Sequence, residues 1–294
     1  MKEAALILFL RILALLPLRV ARALGAGLGR VNWWLQTRMT KTTLTNLALC
    51  FPQKSEAERG ALAQASLRNT FQTICEAGAI WLWPAAETLA LVTEVEGLDL
   101  LQALKAQGKG VIVLAPHLGS WEMLGLYLNV CGCGPSSQLY QAPRSPALGK
   151  LIYEARSRAG ARMVNTDSKG VAELLKTLRR GEIVGILPDQ VPPASGGEFA
   201  PFFGLPALTM TLLNRLQQKT GAAVVIAYAK RIPGGFRMVF REAAAGIDSS
   251  ELATGLAALN RSVELAALDA PEQYQWEYKR FKRQPEGKSE PYAN

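Results

Sequence analysis

The chain has 294 residues, 49% of them hydrophobic, enough to bury a full core in one large domain or two modest ones. Its 33 basic and 24 acidic residues leave a charge of +9, which points to an anionic partner: nucleic acid, an anionic membrane or a phosphorylated substrate. A single histidine excludes the common zinc sites, so no metal is expected, and the four cysteines lack a CxxC pair and suggest reduced, mostly buried thiols.

Residues 4–31 are rich in Leu and Ala, but Arg11, Arg19, Arg22 and Arg30 interrupt them. No run approaches the roughly 20 apolar residues of a spanning helix. At about 100° per residue the four arginines fall within one arc of about 100°, a basic stripe on a greasy cylinder. Such a helix suits the headgroup layer of a membrane, and Pro17 can kink it. A cleaved signal peptide fits poorly, because arginines run through the apolar region.

From about residue 40 to 83 the pattern stays helical, with Ser55 and Glu58 forming a capping box. After Pro84, short apolar runs at 111–115, 183–187 and 222–229 alternate with helical stretches near 120–130, 146–159, 169–180 and 207–219. Gly160, Gly181 and Gly221 supply helix stops. The fold class is therefore α/β, a mostly parallel central sheet flanked by helices, with an N-terminal helical membrane-anchoring extension. The expected division is an interfacial helix over 1–31 and a single domain over 32–294, with a helical lead-in at 32–83 and an α/β core at 84–294. The runs at 222–229 and 236–241 suggest a closing hairpin on an antiparallel edge. The segment 188–206 is expected to be a long functional loop.

The run at 111–114 leads into Ala115-Pro116-His117-Leu118-Gly119-Ser120-Trp121-Glu122. His117 thus leaves the carboxyl end of a strand, where open α/β sheets bind ligands, and Glu122 falls in the first turn of the next helix. The five-residue gap can bring the carboxylate to Nδ1 of the only imidazole, fitting it for base-assisted attack by an external hydroxyl. A histidine capping the turn, beside a glutamate merely favourable at a helix N-terminus, fits the same residues.

The sequence resembles the lipid A biosynthesis lauroyl/myristoyl acyltransferases, within the wider group of glycerolipid acyltransferases. The resemblance rests on ordered blocks: Asn46-Leu47-Ala48-Leu49-Cys50-Phe51-Pro52, the His117 to Glu122 box, Ala155-Arg156-Ser157-Arg158, Leu178-Arg179-Arg180-Gly181-Glu182, Pro188-Asp189-Gln190, Phe202-Phe203-Gly204, and Pro271-Glu272-Gln273-Tyr274-Gln275-Trp276 followed by Arg280-Phe281-Lys282. It implies that His117 deprotonates a hydroxyl of an acylated glucosamine disaccharide lipid, which attacks an acyl carrier protein thioester. Glu122 would orient His117, and neither cofactor nor ATP is needed, in keeping with the lack of a phosphate-cradling GxxxxGK[ST] loop.

By the same resemblance Arg156 and Arg158 are assigned to substrate phosphate or carboxylate, with Asp189 and Arg144 as further substrate contacts. Asp189 equally suits a turn cap, and a helical arginine pair is often only a solvated face. Phe202-Phe203-Gly204 suits core packing or the wall of an acyl groove. The implied partners are acyl carrier protein, an anionic glycolipid and lipids of the bacterial inner membrane at its cytoplasmic face. Two departures stand out: Tyr140-Gln141-Ala142-Pro143-Arg144 replaces a Tyr-Arg-Pro pattern, and Tyr278 occupies a position where the family often has histidine. Another acyltransferase of the superfamily, acting on a different membrane glycolipid or a lysophospholipid, is the alternative. A membrane-anchored nucleic-acid binder is disfavoured by the lack of basic runs interleaved with aromatics.

Overall fold

A computed structural model describes residues 2–141, Pro143 and 145–292. Pro17 divides the N-terminal segment into α1 (Lys2–Ala14) and α2 (Leu18–Trp34), so the expected boundary at residue 31 falls inside a helix. Proline lacks the N–H a continuous helix would use there, but its fixed φ suits the start of a new one. Next come α3 (Arg38–Cys50) and α4 (Glu56–Leu82), the latter opened by the Ser55–Glu58 capping box, in which Ser55 N–H donates to Glu58 Oε2 at 2.7 Å. Gly25 and Gly29 of α2 face α4 so closely that a Cβ at either would stand 2.6 Å from α4 backbone atoms. On a different face from these glycines, Val20, Leu24, Leu28, Val31 and Leu35 recur at helical spacing and are exposed, as are Leu8 and Ile12 of α1 and Leu15 just after it.

The basic stripe needs correction. Arg22 turns inward, pairing with fully buried Glu76 and donating to the carbonyls of Ile232 (2.8 Å) and Gly235 (3.0 Å). Arg231 completes this cluster from the other side at 2.7 Å from Glu76. Two guanidinium groups compensate one buried carboxylate and fasten α2 to the sheet. Arg11, Arg19 and Arg30 remain exposed.

The core follows as α5 (Ala85–Leu89), β1 (Val92–Glu96), α6 (Leu98–Ala106), β2 (Val111–Leu114), α7 (Trp121–Tyr127), β3 (Ser136–Tyr140), α8 (Pro146–Ser157), β4 (Arg162–Asn165), α9 (Ser168–Arg179) and β5 (Ile183–Ile186). Then come β6 (Gly197–Phe202), β7 (Leu205–Met210), α10 (Leu212–Thr220), β8 (Ala223–Ile232), β9 (Gly235–Glu242) and α11 (Leu252–Asp269). Among the described residues the main sheet has seven strands in the order β1-β9-β8-β2-β5-β3-β4, and only β8 and β9 pair antiparallel within it. Strands β2 and β5 lie at its heart and are buried throughout, as continuous apolar runs in a sheet covered on both faces should be. Alternate residues feed two cores: Ile112, Leu114, Val184 and Ile186 face one side, Val111, Val113 and Ile183 the other.

Three expectations differ from what is observed. The β8–β9 hairpin is not at the edge, because β1 pairs with β9 outside it. The 188–206 segment is not one loop: its second half is β6, paired with β7, and the helix expected at 207–219 starts only at Leu212. Pro201 opposite Pro206 disguised this two-stranded ribbon, since proline is depleted in strands. Phe203 and Gly204 form its turn with φ of +49° and +76°, the doubly positive geometry of a tight hairpin. Phe202 is buried among Phe203, Tyr274 and Phe281, so this block packs a core.

Candidate active site

Neighbouring strands β2 and β5 run parallel with Leu114 opposite Ile186, and three residues beyond each lie His117 and Asp189. The in-register exit brings them together: His117 Nδ1 is 2.8 Å from Asp189 Oδ1, and the His117 backbone N–H donates to Oδ2 at 2.9 Å. Asp189 is buried, which alone would raise its pKa. The charge and hydrogen bonds of His117 outweigh that and hold the carboxyl below its usual value. An ionised Asp189 makes Nδ1 the protonated nitrogen and leaves the Nε2 lone pair facing outward as a base. The Gln190 amide nitrogen sits 3.2 Å from Nε2, where a hydroxyl to be deprotonated would sit, and also donates to Gln275 Oε1 at 3.3 Å.

The turn that carries His117 is tied on three sides. Gly119 N–H donates to Gln273 O (3.0 Å), Ser120 N–H to Ala229 O (2.9 Å), and Gln275 N–H to His117 O (3.0 Å). Gly119 has φ +60°, and a Cβ there would stand 2.1 Å from Ala229 O. Only glycine satisfies both the backbone angle and the close approach to β8.

Glu122 does not take the place expected for it on the histidine. Its carboxylate forms a two-pronged pair with Arg156, Nε to Oε2 at 2.9 Å and Nη2 to Oε1 at 2.5 Å. Burial pushes Glu122 up, but the Arg156 charge and hydrogen bonds prevail and leave its pKa below the usual value. Glu122 points along its helix toward α8, whereas Asp189 already fills both Nδ1 and the backbone N–H of His117. Arg156 also lies 5.6 Å over the Tyr140 ring. Arg158, expected to contact substrate, instead donates to Ile80 O and Thr88 Oγ1, tying the end of α8 to α4 and α5. The expected contact Arg144 lies outside the described residues.

A cavity of about 430 Å³ opens between α1, α4, α7 and α8. Leu6, Leu10, Ile74, Ile80, Trp81 and Trp121 give it a largely apolar lining, while Glu122, Gln275, Glu277 and Thr70 supply polar groups. Trp121 brings it to the histidine, their rings 5.0 Å apart. A greasy cavity whose wall, Trp121, touches a histidine held by a carboxylate suits proton abstraction from an alcohol that carries a long hydrocarbon chain, or that attacks an acyl carbonyl bearing one.

A profile of the bacterial lipid A biosynthesis acyltransferase family matches residues 2–283. The chain belongs to that family. It is 31% identical over 277 residues to the lipid A biosynthesis lauroyltransferase of Escherichia coli strain K12, covering 92% of this chain and 88% of the relative. It is 30% identical over 283 residues to the palmitoleoyltransferase of that strain (94% and 90% covered), and 25% identical over 282 residues to its myristoyltransferase (95% and 86%).

In this acyltransferase several residues at the site carried no functional assignment in the sequence. Gln190 follows Asp189 directly, and Gln275 and Glu277 sit in the C-terminal tryptophan block, some 160 residues from His117 in the chain. The proximity of that block to the histidine turn was the missing information. Tyr278, at the position of the family's frequent histidine, accepts a hydrogen bond from Val191 N–H at 2.9 Å and so braces the segment just after Asp189.

Proposed function

We propose that this acyltransferase transfers a fatty acyl group from an acyl carrier protein thioester to a hydroxyl of an acylated glucosamine disaccharide lipid, a secondary acylation of lipid A. Nε2 of His117 removes the proton of the acceptor hydroxyl as its oxygen bonds to the thioester carbonyl carbon. Collapse of the tetrahedral intermediate breaks the C–S bond, and the departing sulfur takes the proton back from Nε2. Asp189 keeps the proton on Nδ1 throughout and stabilises the transient imidazolium. Glu122 acts through Arg156, holding the guanidinium rigid so that its remaining Nη1 meets an anionic substrate group. No step calls for a cofactor or a metal.

The observation that carries this reading is the pair of His117 with buried Asp189 next to Trp121, a wall of the apolar cavity, in a chain of this family. Its setting is the cytoplasmic face of the bacterial inner membrane. Among the described residues no helix is long and apolar enough to cross a membrane. Leu15, just after α1, and Trp34 at the end of α2, 83% and 79% exposed, mark an outer face suited to lie in the interfacial layer, with Arg11, Arg19 and Arg30 near lipid phosphates. Leu6 and Leu10 of α1 also line the cavity, so acyl chains can enter from the bilayer under that helix.

The deciding experiment uses purified protein, a tetra-acylated lipid A precursor, and acyl carrier proteins charged with ten-, twelve- and fourteen-carbon chains. Transfer that vanishes in His117→Ala while folding and membrane binding persist is the expected result. No transfer to this acceptor, with transfer to a lysophospholipid, would move the protein to another branch of the superfamily.

A further inference from the structure

Glu277 is a carboxyl that the mechanism above does not use, yet it lines the large cavity. Thr70 Oγ1 donates to its Oε2 at 3.0 Å, and Gln275 lines the same cavity. Gln275 in turn accepts from Gln190, which touches His117 Nε2. Gln190 and Gln275 thus lead from His117 to the wall of the cavity that Glu277 also lines.

The other charged groups nearby are engaged. Glu122 faces the same cavity but is neutralised by Arg156, and among the described residues no arginine or lysine pairs with Glu277. Burial raises its pKa, which the hydrogen bonds and the field of His117 only partly offset. An uncompensated carboxyl in an apolar slot is unfavourable unless a partner meets it there. Among the described residues the buried acids Glu76, Asp189 and Glu264 have such partners within the protein.

We propose that Glu277 contacts the acyl acceptor, accepting a hydrogen bond from an amide N–H or a sugar hydroxyl close to the alcohol that His117 deprotonates. The inference rests on the glycolipid acceptor proposed above and adds a specificity-determining residue to it. The chemistry selects the partner: a carboxyl oxygen beside the base needs a donor, and an N-acylated amino sugar offers both amide N–H and hydroxyls within a few ångströms of a hydroxyl to be acylated. The thioester arm of the other substrate also carries amide N–H groups, so the separate acceptor and donor KM values decide which substrate Glu277 meets.

The test is steady-state kinetics of the full chain with dodecanoyl acyl carrier protein and the tetra-acylated precursor, each varied in turn. Glu277→Ala is expected to raise the acceptor KM by about 10- to 100-fold, the loss of one hydrogen bond to a carboxyl, while the donor KM stays within about twofold. Glu277→Gln, which keeps an accepting oxygen, should restore most of the acceptor affinity. Thr70→Val, which frees the carboxyl to swing, should shift the acceptor KM in the same direction, and it serves where Glu277→Ala fails to fold. An unchanged acceptor KM in both Glu277→Ala and Thr70→Val, or equal rises in both KM values, overturns the assignment. Absence of transfer by the unsubstituted protein would instead overturn the acceptor class itself, a separate and distinguishable outcome.

Discussion

His117 and Asp189 stand three residues beyond a pair of register partners, Leu114 and Ile186, on adjacent parallel strands, and this alignment makes the pair at 2.8 Å. The geometry of the candidate site is thus built on the two strands buried most completely in the sheet, where packing leaves little freedom.

Asp189→Asn keeps the shape but lets an amide N–H face Nδ1, favouring the tautomer in which Nε2 carries the proton and cannot act as base. The expected loss is on the order of 10²- to 10⁴-fold in kcat with little change in either KM. Single-turnover rates measure it directly, and a kcat within about threefold of the original would remove Asp189 from the mechanism.

Breaking the Glu122–Arg156 pair should cost about 3 kcal/mol of stability, because either partner alone is left charged and largely buried. Denaturant unfolding of Glu122→Gln, Arg156→Leu and the double variant should show strong non-additivity, the double losing far less than the sum. The pH dependence has a defined sign. Glu122 has its folded-state pKa held below the ordinary 4.5, so its contribution is fully present above that pH and disappears as pH falls through the lower folded value. The stability gap between the original protein and Glu122→Gln should therefore close on acidification below pH 4.5. A gap that widens there would contradict the pair.

Gly119→Ala is expected to abolish transfer and lower the melting temperature. The added methyl would collide with Ala229 O at 2.1 Å, on a backbone angle that L-residues rarely adopt. Full activity in this variant would mean that the turn is not held as described.

The outer face of α2 can be tested without touching the site. Leu24→Asp with Leu28→Asp places two charges on the apolar stripe proposed to meet lipid and should reduce sedimentation with anionic vesicles by about tenfold or more, at unchanged melting temperature. Raising salt should weaken binding further through Arg11, Arg19 and Arg30. Undiminished vesicle binding would assign membrane contact to another surface.

Much was legible in the residues themselves. Continuous apolar runs disclosed β2, β5 and β8, because strands covered on both faces leave no polar alternation. Glycines at positive φ marked the helix ends, and the only imidazole drew attention to position 117. Local pattern could not disclose β3 or β4, whose Ser-Ser-Gln-Leu-Tyr and Arg-Met-Val-Asn lie toward one edge and owe their strand pairing to their neighbours. Nor could it show that Arg22 leaves the arginine stripe, since its partner Glu76 lies 54 residues away.

The choice of carboxylate at the histidine belongs wholly to the tertiary structure. Glu122 is five residues from His117 and Asp189 seventy-two, yet the distant one makes the contact. Spacing along a chain measures only local reach, whereas parallel strands in register place equal offsets from paired residues side by side. The sequence determined which residues leave the ends of buried strands. The order in which those strands pair decided which of them meet.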